Sequence, residues 1–219
     1  MGLRIIALSD THGYHEKLTI PDGDLLIYAG DFSMRANHRD TVRFAKWING
    51  LPHAHKIVIP GNHDAYCEQS FSYAREEFAP AVLLNHEECE ILGYRIFGSP
   101  YSSCIFEPSI WHFDYVPLSD RAHRLWNAIP DRIDILITHG PPKGILDRVD
   151  SVHPGEDPNV GDPILLENVK RALPRVHIFG HIHEGAGSFA HEKYTTRFHN
   201  VCVCDVKYKP VNPITVIDL

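Results

Sequence analysis

Ile133–Pro142 reads IDILITHGPP. A short, nearly uninterrupted apolar run stops at a Thr-His pair and turns at Gly140 and two prolines. Runs of this kind suit strands buried on both faces. Four more stretches repeat the plan. Leu3–Leu8 leads into Ser9-Asp10-Thr11-His12-Gly13, and Leu25–Ala29 into Gly30-Asp31. Lys56–Ile59 leads into Pro60-Gly61-Asn62-His63-Asp64, and Val176–Phe179 into Gly180-His181-Ile182-His183-Glu184-Gly185. Ligands of α/β sheets bind outside the carboxyl ends of the strands, so all five clusters are expected to meet at one sheet edge. A single D-x-H, G-D or G-N-H-D is more often a surface turn than a site. Five in this order, each after a strand, are not explained as turns.

Helical segments lie between the runs. Arg39–Asn49 carries Val42, Phe44, Ala45 and Ile48 at helical spacing and is expected to stop at Gly50. Leu118–Ala128 holds Ser119 as an N-cap, and Pro163–Leu173 begins on an Asp162-Pro163 cap and first-turn pair. Strand and helix alternate, so the core is expected to be α/β. Cys89–Phe97, Tyr194–Val206 and Ile214–Ile217 read as further strands without helices between them. They point to a second, more antiparallel sheet, hence a two-sheet β-sandwich flanked by helices. At 219 residues the chain is read as a single domain spanning 1–219.

Composition narrows the function. The formal net charge is −7, which disfavours a binder of long nucleic acids but not of a small nucleotide. No apolar run approaches the ~20 residues of a membrane helix. The N-terminus lacks the pattern of a signal peptide, so a cytoplasmic location is expected. The five cysteines form no C-x-x-C and are read as reduced, with Cys202 and Cys204 on the same side of a strand. Histidine is over-represented, at 16. Eleven lie outside the motifs and are read as surface or satisfied buried imidazoles; His112 and His153 are set apart because their loops, Ser99–Pro117 and Val149–Gly161, could face the site.

Together, D-x-H, G-D, G-N-H-D, a later His and G-H-x-H resemble the motif set of the calcineurin-like metallophosphoesterase superfamily. Ile133–Pro142, His177–Gly185 and Val211–Leu219 look like its metallophosphoesterase-domain-containing subfamily, related to the fetal-brain 239 protein. The resemblance implies that Asp10, His12 and His183 hold one metal and Asn62, His139 and His181 a second, with Asp31 bridging. It implies that His63 sits beside the pair as a catalytic group, oriented by Asp64. Oxygen and imidazole ligands without thiolate suit Mn²⁺, Fe²⁺, Zn²⁺ or Co²⁺, and family likeness favours Mn²⁺. The implied activity is hydrolysis of phosphodiesters of small substrates, cyclic nucleotides among them, by a water activated between the metals. The alternatives are a phosphomonoesterase or nuclease on the same site, or a catalytically weak metal-binding scaffold. Substrate contacts are sought among Tyr101, Trp111, His112, Phe113, Arg148 and His153. The rings could stack on a base or pack under their own loop; Arg148 could meet a phosphate or remain solvated. Asn200 could approach the metals, although a plain strand or turn residue is the safer reading.

Overall fold

Each residue of Leu25–Ala29 is fully buried, a burden only a central strand can carry. In the computed structural model, which describes residues 2–35, 37–104, 110–150, 155–190 and 194–219, this strand is β2. It lies between β1 (Arg4–Leu8) and β3 (His55–Ile59), parallel to both. The two-residue β4 (Val82–Leu83) closes one edge of this sheet, and β13 (Thr215–Asp218) pairs antiparallel with β1 at the other. Between β1 and β3 in the chain lies α1 (His38–Gly50), and after β3 come α2 (Ala65–Gln69) and α3 (Phe71–Phe78).

The second sheet has the order β11-β12-β10-β9-β6-β5. Its strands are β5 (Glu87–Ile91), β6 (Tyr94–Ser99), β9 (Ile135–Thr138), β10 (Val176–Phe179), β11 (Gly187–Ala190) and β12 (Arg197–Asn200). The inner four strands run parallel and both edge pairs are antiparallel. A small ribbon of β7 (Ser102–Ser103) and β8 (Asp114–Tyr115) stands apart, and α4 (Asp120–Asn127) and α5 (Pro163–Ala172) cover this side.

Period-two alternation assigns the layers. From β1, Ile5 and Ala7 join Leu25, Ile27, Ile57 and Ile59 between the sheets, facing Ile96, Ile135, Ile137, Val176 and Ile178. Ile6, Leu8, Leu26, Tyr28 and Val58 point the other way, onto Phe44, Ile48 and Phe78 of α1 and α3. Leu136, Phe179 and Phe198 pack on Trp126, Leu165 and Val169 of α4 and α5. The result is helix, sheet, sheet, helix, the expected two-sheet sandwich.

Several boundaries differ from expectation. The five motif-bearing strands do not share a sheet: β1, β2 and β3 form one and β9 and β10 lie in the other. Their carboxyl ends gather along a common rim of both sheets instead. Cys89–Phe97 is not one strand but a hairpin turning at Leu92 and Gly93, both at positive φ. Gly50 is the last residue of α1, not a stop beyond it. Ser119 and Asp162 do cap their helices, accepting from Ala122 N and Leu165 N. Asp162 serves twice. Its Oδ2 accepts from Tyr115 Oη at 2.5 Å, and Tyr115 Oη accepts from Trp126 Nε1 at 2.9 Å. Tyr115→Phe strands a buried indole N–H, which costs about 1–3 kcal/mol. A fall of several degrees in Tm with unchanged metal content is the expected result.

His177 is fully buried, and burial pulls its pKa down to about 3. Its Nε2 pairs with Thr138 Oγ1 while its Nδ1 has no partner, so "satisfied" describes it only in part. An unfolded chain takes up this proton as pH falls through ~6.5, and the folded one does not. Stability from His177 is therefore complete above that pH and lost progressively as pH falls toward 3. In urea melts between pH 6 and 4, His177→Gln should flatten the dependence by one proton, about 1.4 kcal/mol per pH unit.

Candidate metal centre

Four of the residues at the rim adopt left-handed backbone: Asp10 (φ 52°), His12 (φ 44°), Asp31 (φ 58°) and His181 (φ 69°). Such strain in non-glycine residues gathers at functional sites, where the scaffold holds it. It bends each chain sharply at the strand end and aims its side chain inward.

The side chains do converge. His12 Nε2 lies 3.2 Å from His183 Nε2, and these atoms lie 4.0 and 3.6 Å from Asp10 Oδ1. Asn62 Oδ1 lies 2.9 Å from His139 Nε2 and 3.0 Å from His181 Nδ1. Asp31 Oδ2 sits 3.4 Å from His139 Nε2. Ligands held at ~2.0–2.2 Å from one cation stand from about 3 Å apart when adjacent to about 4.4 Å when opposite, so both groups have spacings a coordination shell allows. Asp31 groups with His12 on one side and with His139 and His181 on the other, the place of a bridge. Its Oδ1 accepts the backbone N–H of His63 at 2.9 Å, which leaves Oδ2 turned inward.

Tautomers favour metal too. His12, His139 and His183 each turn Nδ1 to a backbone carbonyl, of Ser33 (3.3 Å), Ala29 (2.9 Å) and Asp205 (2.8 Å). An N–H donated there leaves the Nε2 lone pair free for a cation, the usual outer-shell arrangement. His181 differs in presenting Nδ1. Charge is consistent with this. Burial alone would raise Asp10 and Asp31, but His183, His139 and neighbouring imidazoles hold both well below the carboxylate range. Burial would lower His139 and His183, and the same carboxylates hold each at about 9. Burial and the charge of His139 push His181 to about 3. Two buried anions are thus balanced by imidazolium where a divalent cation would take over. The residues fit a dinuclear centre.

Asp64 corrects an expectation. It does not touch His63: its Oδ2 accepts from Gly61 N (2.8 Å) and Asp31 N (2.9 Å), joining the two turns behind the site. Burial and the charge of Asp31 push it well above the carboxylate range. The partner of His63 is Met34 O, 2.8 Å from Nδ1. His63 Nε2 lies 3.9 Å from Asp31 Oδ2, near enough for His63 to be grouped with His12 and Asp31.

A cavity of about 560 Å³ opens on the centre. Of the substrate candidates, Trp111 lines it, with its ring 4.3 Å from that of His63. Phe113 is buried in the core and Tyr101 packs against it, so neither ring borders the cavity. His112 Nδ1 pairs with Glu68 at 2.7 Å. Arg148 is exposed beside Asp150, and its neighbour Val149 does the lining. His153 lies outside the described residues. Asn200 donates to Leu146 O and Ile182 O, a structural role. Two neighbours were not read as site residues in the sequence. Tyr208 sets its ring 4.7 Å from His12 and 5.4 Å from His183, and Cys202 Sγ lies 3.1 Å from Asp10 Oδ2. The alternation of Cys202 and Cys204 hinted at buried positions; nothing marked Tyr208, which sits on a turn at φ 57°.

No helix among the described residues is long and apolar enough to cross a membrane. Comparison with known proteins agrees with the geometry. The chain is 38% identical over 240 residues to "Metallophosphoesterase domain-containing protein 1" of Homo sapiens, covering 99% of this chain and 71% of that protein. The Mus musculus protein of the same name matches to the same extent. The crystal structure of TT1561 of Thermus thermophilus shares the fold, with a TM-score of 0.63 at 16% identity, covering 100% of this chain and 99% of that one. The family model described as "Calcineurin-like phosphoesterase" matches residues 3–185. With the clustered ligands at its rim, this chain belongs to the calcineurin-like phosphoesterase family and is a metal-dependent phosphoester hydrolase.

Proposed function

We propose that the protein is a dinuclear phosphodiesterase acting on small diesters, cyclic nucleotides among them, with Mn²⁺ as the working metal. The observation that carries this is the cavity lining. Among the described lining residues there is no Lys or Arg; Asp114 and Glu184 face the space, with Ile110, Trp111, Val149, Ile182, Val206 and Tyr208 around them. A phosphomonoester brings two negative charges and one organic group. A diester brings one charge and two organic groups. An acidic, apolar-walled cavity of small-molecule size discriminates against the first and accommodates the second.

Asp10, His12 and His183 would hold one ion, Asn62, His139 and His181 the other, and Asp31 both. When bound, the two ions supply Lewis acidity to the phosphoryl oxygens and acidify the attacking water. The chain's own contribution is placement and a proton. Ile110, Val206 and Tyr208 border the space in which the diester's organic groups would lie. His63, with Nδ1 committed to Met34 O, presents Nε2 toward the centre to hydrogen-bond or protonate the leaving oxygen. Cys67, Cys89, Cys202 and Cys204 form no disulfide, which supports a cytoplasmic placement.

Initial rates on a bis-aryl phosphate, a 2′,3′- and a 3′,5′-cyclic nucleotide and a mono-aryl phosphate, each with Mn²⁺, Zn²⁺, Fe²⁺ and Co²⁺, test the proposal. The expected result is kcat/KM at least ~10-fold higher for diesters than for the monoester, with the best rates in Mn²⁺. A monoester preference overturns it.

A further inference from the structure

The His63 ring has one hydrogen bond, from Nδ1 to Met34 O, and its remaining motion about Cβ–Cγ is limited by what packs against it. Two rings remove that freedom. His12 stands edge-on to it at 4.8 Å and 78°, and the Trp111 ring lies tilted against it at 4.3 Å and 35°. Trp111 is 45% exposed, more than folding alone asks of an indole.

Trp111 is not left to find this place by itself. The backbone N–H of His112 donates to Asn62 O at 3.2 Å, tying the loop to the turn that carries a metal ligand. Glu68 of α2, one helical turn beyond Asp64, grips the same loop with both oxygens. Oε1 accepts Phe113 N–H at 2.9 Å, and Oε2 pairs with His112 Nδ1 at 2.7 Å. The Phe113 side chain, 1% exposed, anchors the segment in the core. A carboxylate accepting two N–H groups from adjacent residues fixes their orientation as well as their position.

We propose that Glu68 and Trp111 are positioning residues for His63: the Glu68 carboxylate clasps residues 112 and 113 so that the Trp111 indole seats the His63 ring with Nε2 toward the leaving oxygen. This rests on the role given to His63 above. Misplacing a catalytic group by about 1 Å can cost ~10²-fold, so a loosened His63 loses part of its ~10²–10⁴-fold contribution. The loss falls on kcat, and it grows as the leaving group becomes poorer, because an alkoxide needs its proton where a nitrophenolate does not.

The test compares Trp111→Ala, Trp111→Phe, Glu68→Ala and His63→Ala on two diesters, one leaving as p-nitrophenolate and one as an alkoxide, with metal content measured in parallel. Trp111→Ala should lower kcat on the alkoxide diester by about 10–100-fold and on the nitrophenyl diester much less, with KM and metal content held. Trp111→Phe should restore most of the loss. A second readout needs no turnover. In the metal-free protein the His63 Cε1–H resonance is displaced by the indole ring current, and Glu68→Ala, which keeps the indole, should move it back toward an ordinary histidine position. A rise in KM at constant kcat would make Trp111 a wall for the substrate and overturn the proposal, as would equal losses on both diesters or an unmoved resonance in Glu68→Ala. If His63→Ala itself shows no dependence on the leaving group, the role of His63 fails first. If His63→Ala shows it and Trp111→Ala does not, the positioning proposal fails alone.

Discussion

Gly61→Ala should abolish the second metal site and reduce hydrolysis by at least about 10²-fold, although it adds a single methyl group. The reason is proximity. A Cβ on residue 61 falls onto Asp31 Oδ1 and comes within 2.6 Å of Asp31 N and 2.7 Å of His139 Cε1. Two of these atoms belong to side chains that are committed elsewhere. Asp31 Oδ1 accepts from His63 N, and the His139 ring is fixed through Nδ1 to Ala29 O. The third is backbone. Nothing in the group is the free end of a flexible chain, so the methyl must push the bridging carboxylate and a histidine ligand apart. Gly61 N also donates to Asp64 Oδ2, the joint between the two turns, and displacement there spreads to Asp31 N. Overpacking of this kind costs about 1–3 kcal/mol, a fall of roughly 2–12 °C in Tm for a chain of this size. Gly50→Ala is the matched control: at the end of α1 its Cβ meets nothing within 4 Å, and the change should be neutral or slightly stabilising. Metal analysis and thermal melts of both variants decide the matter. Two bound metals and full activity in Gly61→Ala would mean that Asp31 and His139 do not stand together as described.

Why Gly61 must be glycine was only half legible from the sequence. The alternation of apolar runs and turn residues predicted β1, β2, β3, β9 and β10 to within two residues of their ends, because each run buries both faces and leaves no ambiguity of period. The caps at Ser119 and Asp162 were legible for a local reason: one side-chain oxygen satisfies one orphan N–H three residues on. Partition of those strands between two sheets was not legible. Pairing of β6 with β9 joins residues some forty apart, and nothing in either strand encodes its neighbour. The same limit governs the site. Ligand identities follow from residue types next to strand ends, whereas the second contacts of His139, His12 and His183 are backbone carbonyls of Ala29, Ser33 and Asp205, and that of His63 is Met34 O; none carries a residue signature. Asp64 shows the consequence. Adjacent to His63 in sequence, it suggests a carboxylate–histidine pair, yet the turn sends its side chain back beneath Asp31 and Gly61. Tyr208 and Glu68 were invisible for the same reason: one arrives on a turn near the end of the chain, the other in a short helix without a periodic pattern.

His63→Ala is expected to keep two metals per chain and lose about 10²–10⁴-fold in kcat on a diester with a poor leaving group. Metal retention follows from geometry. Asp10, His12 and His183 already close one group of donors, and Asn62, His139 and His181 the other, without the imidazole of residue 63. The carboxylate most exposed to the change is Asp31, whose Oδ2 lies 3.9 Å from His63 Nε2; but Oδ1 is held by the backbone N–H of residue 63, which alanine preserves. Loss of turnover follows from placement. Nδ1 points away, to Met34 O, so Nε2 is the one nitrogen that can reach a leaving oxygen at the cavity wall. His63→Asn distinguishes a hydrogen bond from a proton: an amide can donate the first but not supply the second, so failure of asparagine to restore turnover on the alkoxide diester identifies proton transfer. The opposite outcome is equally informative. His63 Nε2 also lies 3.9 Å from Asp31 Oδ2, and the His63 ring clusters with His12 and Asp31. If metal content drops to one per chain in His63→Ala, this imidazole completes a coordination shell. The leaving group must then be served by another residue on the rim, and Tyr208, at 6.4 Å from His63 between rings, stands next in line.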